Sequence, residues 1–377
     1  MFAMARRLWP TILRSDNTSA PQESTMRIVM ALAAGLVATP VSAAVISGRV
    51  TDASGTPIPG ALVKLERGGF QAVTEANGIC NLPTTNELLQ RRNAVNGASQ
   101  DTAGAVEGAR SNDGLGNQLN ANGDMLVVSK SGYLDYVDAV RCPDARFSIS
   151  MIVCADSVTD VEGNVYQAVQ LGNQVWTVAN LRTKRFNDGT PIPFDAATDA
   201  WKDNKTPMYC CPKNVTDPNV IKHFGLLYNF YAVDTRKLAP AGWHIPSSAE
   251  WTTFETHMIS AGFNWDGSRS GDKIARAIAA KLSWNESTVP GTIGNDLTKN
   301  NASGFSAYGT GFRHESGIFE PVGNYTGWWT ATAASSDHAG MIDLHGNQAD
   351  WSNAHHYRSA CGYSVRLVKD QLPAPAS

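Results

Sequence analysis

The amino-acid sequence predicts a multidomain protein in which an N-terminal all-β sandwich precedes an α+β domain with two helices and small twisted sheets. Residues 45–66 contain two β-prone runs separated by a dense turn, which is typical of a sandwich. Ser247 and Glu250 form a capping box, and apolar residues follow it at helical spacing. From Gly304 onward, short β-prone segments alternate with glycine turns, which indicates small sheets joined by loops.

Length and composition are those of a soluble globular protein with two or three domains. The 377 residues are 42% hydrophobic and 17% charged. The formal net charge is -3, and the lysines and arginines are scattered along the chain. Because this distribution offers no basic face, we expect no nucleic-acid partner.

The N-terminal residues have the pattern of a targeting sequence. Arg27 precedes the apolar run of residues 28–37, and Val41-Ser42-Ala43 has the small side chains of a cleavage site. We interpret residues 26–43 as a signal peptide and residues 1–25 as an upstream extension. The mature protein is therefore expected in the periplasm, on the cell surface or outside the cell.

An uncleaved anchor is the alternative interpretation of this segment. Residues 28–46 are nearly long enough to span a bilayer as a helix. In that case the membrane would be a partner of the protein.

The first domain begins with a predicted strand at Val45 to Val50 and a second at Ala61 to Glu66. Four motifs of this domain follow the pattern of a known family: Ser47–Asp52, Gly55–Val63, Thr74–Ile79 and Met125–Tyr133. The third of them is predicted to form a hairpin. Together they resemble the carboxypeptidase-regulatory-like, transthyretin-like domain over residues 45–153. The resemblance implies a non-catalytic spacer of an exported protein.

Two further segments of this half are predicted to lack regular structure. Residues 84–123 form a polar insertion rich in Asn, Gly, Ala and Ser where the family has a short loop, so we expect a disordered surface loop. Residues 154–163 are interpreted as a linker to the next domain.

A β-hairpin is predicted to open the second domain. Val165, Val169 and Leu171 mark the first strand, and residues 175–178 mark its partner. Gly172-Asn173 between them has the composition of a two-residue hairpin turn.

Two helices are predicted after the buried aromatic segment Phe224–Val233. The first begins at Ser248, since Ser247 caps it, and ends at Gly262. The second is predicted over Asp272–Leu282. The expected apolar faces consist of Trp251, Phe254, Met258 and Ala261 in the first helix, and Ile274, Ile278 and Leu282 in the second.

A set of ordered motifs runs through this half: Asn164-Val165-Tyr166, Trp176–Leu181, Gly225–Val233, Gly242–Trp251, Phe312-Arg313, Trp328-Trp329 and Ser364-Val365-Arg366. The set resembles the Fibrobacter succinogenes major paralogous domain over residues 164–370, which leaves residues 371–377 as a tail. The resemblance implies the C-type-lectin-like fold shared with formylglycine-generating enzyme, with two helices on small twisted sheets and the chain ends close together.

The sequence departs from this family at a presumed disulfide. Members commonly carry cysteines at two positions where this chain has Leu238-Ala239-Pro240 and Leu367. The six cysteines present are Cys80, Cys142, Cys154, Cys210, Cys211 and Cys361. An even number in an exported chain permits disulfides, although spacing leaves the connectivity open. A bond from Cys361 to Cys210 or Cys211 is one alternative to the missing bridge.

The candidate ligand-binding surface is the stretch from about Asp337 to Arg358, which we expect to form loops. Its polar and aromatic composition suits adaptable contacts with a protein or a glycan. Trp329 and Trp351 are the candidates for exposed aromatic rings that stack on a ligand, although burial in the core is the alternative for any single tryptophan. The candidate residues are Trp329, Asp337, His338, Asp343, Asn347, Asp350, Trp351, Asn353, His355, Tyr357 and Arg358.

Metal and catalytic motifs are absent from the sequence. The C-terminal histidines have no metal-ligand spacing, so we expect no metal site and no cofactor. Glu320-Pro321-Val322 and Trp351-Ser352-Asn353 resemble the calcium motifs of C-type lectins but lack part of the ligand set, which leaves calcium as an open alternative. No nucleophile elbow or phosphate loop occurs, so we expect no enzyme activity.

These observations favour an exported, non-catalytic binding or adhesion protein whose partner is a protein or a glycan at the cell surface. The alternatives are an accessory protein that targets a surface hydrolase system to polysaccharide, and a structural protein of the cell envelope.

Overall fold

The computed structural model describes residues 45–66, 69–83, 125–140, 146–196, 201, 205–358 and 360–371. The side chains of residues 353–358 lie outside this description, as do the predicted signal peptide at 26–43, the extension at 1–25 and the insertion at 84–123. The described part of the chain is rich in β-sheet and has few helices.

The strands are β1 (Val45–Thr51), β2 (Leu62–Leu65), β3 (Gln71–Val73), β4 (Ile79–Pro83), β5 (Met125–Ser129), β6 (Tyr136–Ala139), β7 (Arg146–Ser150), β8 (Asp156–Thr159), β9 (Val165–Leu171), β10 (Gln174–Thr177), β11 (Tyr209–Cys210), β12 (Leu227–Tyr228), β13 (Trp243–His244), β14 (Tyr325–Ala333), β15 (His338–His345), β16 (Trp351–Arg358) and β17 (Val368–Lys369). The α-helices are α1 (Pro218–Phe224), α2 (Phe230–Asp234), α3 (Ser248–Ser260) and α4 (Ala275–Ile278). Short 3-10 turns occur at Pro212–Asn214, Ile293–Asn295 and Leu297–Lys299.

The N-terminal strands form two sheets, β4-β1-β7 and β3-β2-β5-β6. Inward side chains of both sheets, such as Val50 and Ile149 from the first and Val63 and Val128 from the second, share one buried apolar cluster. Alternation along the strands brings these side chains to the facing surfaces of the sheets. This arrangement is consistent with the predicted sandwich.

The predicted hairpin turn at Thr74–Ile79 is present, since Glu75 N donates to Ile79 O and Gly78 N donates to Glu75 O, both at 2.9 Å. The backbone does turn here, with Gly78 at φ +75°, but β3 pairs with β2 and β4 pairs with β1. The turn therefore carries the chain from one sheet to the other. A side chain at Gly78 would collide with the carbonyl oxygen of Val50, because an added Cβ would lie 2.4 Å from it.

The predicted linker at 154–163 contains a strand. β8 pairs antiparallel with β9 and becomes the edge of the five-stranded sheet β13-β17-β10-β9-β8. Val158 is buried in this strand. Packing of this apolar side chain favours a strand even though polar residues surround it in the sequence. The same sheet contains β17, so Lys369 near the C-terminus reaches Asp156 with an Nζ to Oδ2 distance of 2.6 Å.

The predicted hairpin at the start of the second domain is confirmed. β9 and β10 pair antiparallel, and Leu171 lies opposite Gln174 with Gly172-Asn173 as the turn. Gly172 has a φ of +65°, as a two-residue hairpin turn requires.

The first predicted helix is confirmed as α3. Ser247 Oγ accepts a hydrogen bond from Glu250 N, Glu250 Oε2 accepts one from Ser247 N, and Gly262 follows with a φ of +87°. Trp251, Phe254 and Met258 are buried as expected. Ala261 is exposed, so its assignment to the apolar face is wrong.

The second predicted helix, Asp272–Leu282, is reduced to the single turn α4. Ala279 has an extended backbone, and Ala280 N donates to Ala307 O at 2.7 Å. Pairing with the Ala307 segment therefore replaces the helical hydrogen bonds. Ile274, Ile278 and Leu282 are nevertheless buried, because the segment is enclosed on several sides.

The hairpins of the C-terminal half build the antiparallel sheet β14-β15-β16. One buried cluster lies on the side of Trp329 and Met341, and a second lies on the side of Trp328 and Ile342. The central strand β15 is thus buried on both faces.

The N-terminal sheets pack against the rest of the chain within one compact unit, Ala43–Ser377. Leu134 and Ile152 lie against Gly304, where an added Cβ would approach their methyl groups to 3.0 and 2.9 Å. Asp135 N also donates to Gln167 Oε1 at 2.9 Å. Apolar and polar contacts therefore both join the two halves.

The alternative disulfide from Cys361 to Cys210 or Cys211 is not formed. Cys210 and Cys211 are buried thiols, and Cys361 Sγ lies 3.9 Å from Glu315 Oε2. Burial raises the pKa of Cys210 to about 12, so this thiol stays protonated at neutral pH.

Within the described residues, none of the helices has the length and apolar character needed to cross a bilayer.

Candidate functional site

The candidate residues predicted from the sequence lie along the three strands β14, β15 and β16 and their turns, so the expectation of a loop surface is wrong. His338 and Asp343 belong to β15, and β16 begins at Trp351. Eight residues of antiparallel strand span about 26 Å. Asp337 and His338 therefore lie at one end of the sheet, while Asn347 and Asp350 lie at the other.

Trp329 and Trp351, the two candidates for exposed rings, are buried in the core. Trp329 donates from Nε1 to Tyr228 O at 2.8 Å and meets the Tyr363 ring edge-on. Trp351 packs its ring 5.6 Å from that of Trp251, measured between centroids. Trp329 belongs to one of the two buried apolar clusters and Trp351 to the other, so neither indole can stack on a ligand.

Asp343 is also buried. Tyr325 Oη donates to its Oδ2 at 2.8 Å, and His345 Nε2 lies 3.7 Å from the same oxygen. Its Oδ1 is enclosed and has no hydrogen-bond partner among the residues that the structure describes. Because solvent does not reach this oxygen, a ligand cannot reach it either without movement of the sheet.

The polar residues of the first turn make local contacts. Asp337 Oδ1 accepts from Ser335 Oγ at 2.9 Å and lies 2.9 Å from His338 Nδ1. These bonds close the turn between β14 and β15. The backbones of Asn353, His355, Tyr357 and Arg358 lie in β16, and their side chains fall outside the described residues.

At the second turn, three loops interlock into what we call the loop cluster, defined as residues 263–273, 285–295 and 346–350. Gly294 N donates to Gly346 O at 3.1 Å, which joins the second and third loops. Trp351 N donates to Asp272 Oδ2 at 3.0 Å and joins the end of the third loop to the first. The cluster contains two of the predicted candidates, Asn347 and Asp350, both exposed.

Trp265 is the exposed aromatic residue of the loop cluster. Of the nine tryptophans in the described residues, eight are buried and Trp265 is 43% exposed. An added Cβ on Gly291 would lie 2.3 to 2.7 Å from Cε2, Nε1 and Cδ2 of its ring. The indole therefore rests against Gly291.

The loop that carries Trp265 is held rigidly by its own polar side chains. Trp265 N donates to Lys273 O at 3.1 Å. The buried Asn264 amide donates to Gly271 O at 3.0 Å and accepts from Lys273 N at 3.0 Å. Asp266 forms an ion pair with Lys273, and hydrogen bonds from Lys273 and Ser268 hold the pKa of Asp266 well below its usual range. The exposed ring is thus presented by a preorganised loop.

Carboxylates border the same cluster. Burial raises the pKa of Asp272 to about 6, and the charges of Glu255 and Asp350 add to this shift. The two oxygens of Asp272 accept hydrogen bonds from Trp351 N and Ile274 N. Because both oxygens are engaged with the backbone, Asp272 serves as a structural tie and is poorly placed to transfer a proton to a ligand.

The histidines and carboxylates do not assemble a metal centre within the described residues. His314, for example, pairs with Glu320 at an Nε2 to Oε1 distance of 3.0 Å. His338 and His345 each lie beside a different carboxylate, Asp337 and Asp343.

Residues 169–369 match the model of the Fibrobacter succinogenes major domain family. This match covers more than half of the chain. The chain belongs to this family. No curated protein and no solved structure matches it.

The Fibrobacter succinogenes major domain contains the whole loop cluster and the sheet β14-β15-β16. The match begins inside β9, so the N-terminal sheets and β8 lie before it. The ordered motifs of the sequence indicate this family, whereas none of them includes Trp265. Turn-forming residues surround Trp265 and indicate a surface loop, as in Gly262-Phe263-Asn264-Trp265-Asp266-Gly267-Ser268.

Proposed function

We propose that this protein is an exported, non-catalytic binding protein that binds a glycan at the loop cluster. The observation that carries the proposal is Trp265, an exposed indole held against Gly291 on a rigid loop. A flat aromatic ring of this kind offers an apolar face to the C–H face of a sugar ring, while its Nε1–H can donate to a hydroxyl.

Neighbouring groups support the same ligand. Val289 is 52% exposed on the adjacent loop and extends the apolar area. Asn347 and Gln348 are exposed on the third loop and supply amide groups of the kind that bind sugar hydroxyls. An apolar platform with a few polar groups around it is the usual composition of a small-molecule site.

In this proposal the Fibrobacter succinogenes major domain has a C-type-lectin-like fold and the N-terminal sheets are a carboxypeptidase-regulatory-like module. The presence of β8 and β17 in one sheet, with Lys369 paired to Asp156, supports the lectin-like assignment, since it brings the ends of the C-terminal half together. Residues 26–43 direct export, and the glycan is part of a cell surface or an extracellular polysaccharide. If the protein is an accessory of a surface hydrolase system, the glycan that it binds is also the substrate of a partner enzyme.

The test is a substitution of the exposed ring. Trp265→Ala should weaken glycan binding about 5- to 20-fold, equivalent to about 1–2 kcal/mol, because the stacking surface and the Nε1 donor are both lost. Binding is measured by a glycan array followed by affinity electrophoresis in gels containing neutral soluble polysaccharides.

The matched control is Phe194→Ala. Phe194 is 46% exposed and packs on Tyr209 outside the loop cluster, so its removal deletes a similar exposed ring elsewhere. We expect unchanged retardation for this variant. Circular dichroism must show that both proteins are folded. If the wild type and Trp265→Ala then bind a glycan equally, the loop cluster is not the binding site. If pull-down assays recover protein partners and no glycan is bound, adhesion to a protein is favoured.

A further inference from the structure

We infer that the loop cluster selects uncharged polysaccharides and excludes polyuronates and other acidic glycans. This inference rests on the glycan-binding function proposed above and names the class of its ligand. It is carried by the charges that border Trp265.

Carboxylates from three separate elements meet at the loop cluster. Asp272 lies in the loop that follows Trp265, Asp350 lies in the turn before β16, and Glu255 lies in α3. Trp351 N donates to Asp272 Oδ2 at 3.0 Å, which holds the neighbouring Asp350 beside Asp272. The charges of Glu255 and Asp350 add to the effect of burial in opposing ionisation of Asp272. Glu286 is a further exposed carboxylate on the second loop.

The basic side chains of the first loop are engaged by protein groups. Lys273 Nζ forms its ion pair with Asp266 Oδ2. Arg269 Nη1 donates to Ser260 O, the carbonyl at the end of α3. Both side chains keep their positive charge, but the loop cluster contains four carboxylates against these two cations, so its net charge is negative.

A polyuronate that stacks on Trp265 would bring a repeated negative charge beside these carboxylates. Like charges near a protein surface repel at short range, and salt screens the repulsion over about 8 Å at physiological ionic strength. A neutral polymer meets no such repulsion. We therefore expect at least about tenfold weaker binding of a polyuronate than of a neutral polymer at low salt, and a smaller ratio in 0.5 M NaCl.

Affinity electrophoresis tests this with three probes: hydroxyethyl cellulose and galactomannan as neutral polymers, and polygalacturonate as the acidic polymer. The wild type should be retarded by a neutral probe at least about tenfold more strongly than by polygalacturonate in low-salt buffer. Asp350→Lys should increase retardation by polygalacturonate at least about fivefold. Asp337→Lys makes the same change in net charge at the opposite end of the sheet, and it should leave that retardation as in the wild type.

The outcomes separate this inference from the proposed function. Retardation by polygalacturonate equal to or stronger than that by the neutral probes, and lost in Trp265→Ala, would overturn the charge selection while leaving glycan binding in place. Equal gains in Asp350→Lys and Asp337→Lys would also overturn it, because net charge alone would then explain the effect. Absence of retardation by all three probes, or binding that survives Trp265→Ala, would overturn both proposals.

Discussion

Gly291 allows the Trp265 ring to lie directly against the backbone of the neighbouring loop. The residue has a φ of +83°, a conformation that residues with a Cβ rarely adopt. The space where its Cβ would point is filled by the indole. Exposure of the ring and its fixed position therefore both depend on the absence of one side chain.

Gly291→Ala should displace the indole and reduce glycan binding to the level of Trp265→Ala. The added methyl group would overlap the ring, and the left-handed backbone adds strain, so we also expect a loss of about 1–2 kcal/mol in unfolding free energy. Urea denaturation and affinity electrophoresis measure the two effects.

The control for this prediction is Gly267→Ala in the same group of loops. Gly267 has a φ of +73°, but no atom lies within 4 Å of its added Cβ. This variant should lose stability through backbone strain and keep its glycan binding. If both variants bind as the wild type does, Gly291 does not position the ring.

At the scale of secondary-structure elements, His244 in β13 connects the N-terminus of α3 to the residue after β17. Its Nε2 lies 2.7 Å from Glu250 Oε1, and its Nδ1 faces Asp370 Oδ1. The hydrogen bond with Glu250 is the main cause that raises the pKa of His244 to about 9. Burial opposes ionisation of Glu250, but hydrogen bonds from His244 and Ser247 outweigh it and lower its pKa to about 2.

The contribution of His244 to stability should depend on pH. Its pKa is higher in the folded protein than the ordinary value of 6.5, so the contribution is complete below pH 6.5 and is lost as pH rises through about 9. Because the side chain is 40% exposed, we expect a contribution of only about 0.5–1 kcal/mol after solvent screening.

Urea denaturation of the wild type and of His244→Gln at a series of pH values measures this contribution. The difference in unfolding free energy should be largest near pH 6 and shrink toward pH 9.5. Use of the variant as reference cancels the titration of other groups. A difference that stays constant over this range would contradict an ionic role for His244.

At the scale of the whole molecule, the N-terminal sheets share buried surface with the family domain. Leu134 is 5% exposed and belongs to the apolar cluster that contains Trp176, Trp251 and Phe254. His223 in α1 lies 3.9 Å from Glu66 at the end of β2. The sheets are thus packed against the family domain as part of one unit, whereas a flexible spacer would need no such buried contacts.

This shared surface predicts a single cooperative unfolding transition for the wild type. Leu134→Asp should bury an unpaired carboxylate between the halves, weaken their contact and produce two calorimetric transitions. Val63→Ala is the matched control, because Val63 is buried within the N-terminal cluster alone. That variant should lower the melting temperature, through a loss of about 1–2 kcal/mol, and keep one transition. A single transition in Leu134→Asp at an unchanged temperature would show that the contact contributes little.

Several features of this protein follow from the sequence alone because their causes are local. The start of α3 depends on Ser247 and Glu250, three residues apart, and its end depends on Gly262. The hairpin of β9 and β10 depends on the two residues of its turn. The family was also recognisable, because its motifs occur in order along the chain.

Tertiary structure decided the features that depend on distant partners. Side chains from distant parts of the chain cover the rings of Trp329 and Trp351, whereas the ring of Trp265 is left partly exposed. The segment after Asp272 leaves its helix after one turn because Ala307, far along the chain, offers backbone partners. Capping and turn chemistry act within a few residues, whereas burial is a property of the assembled core, so a pattern of residue types identifies the elements but not which side chain reaches the surface.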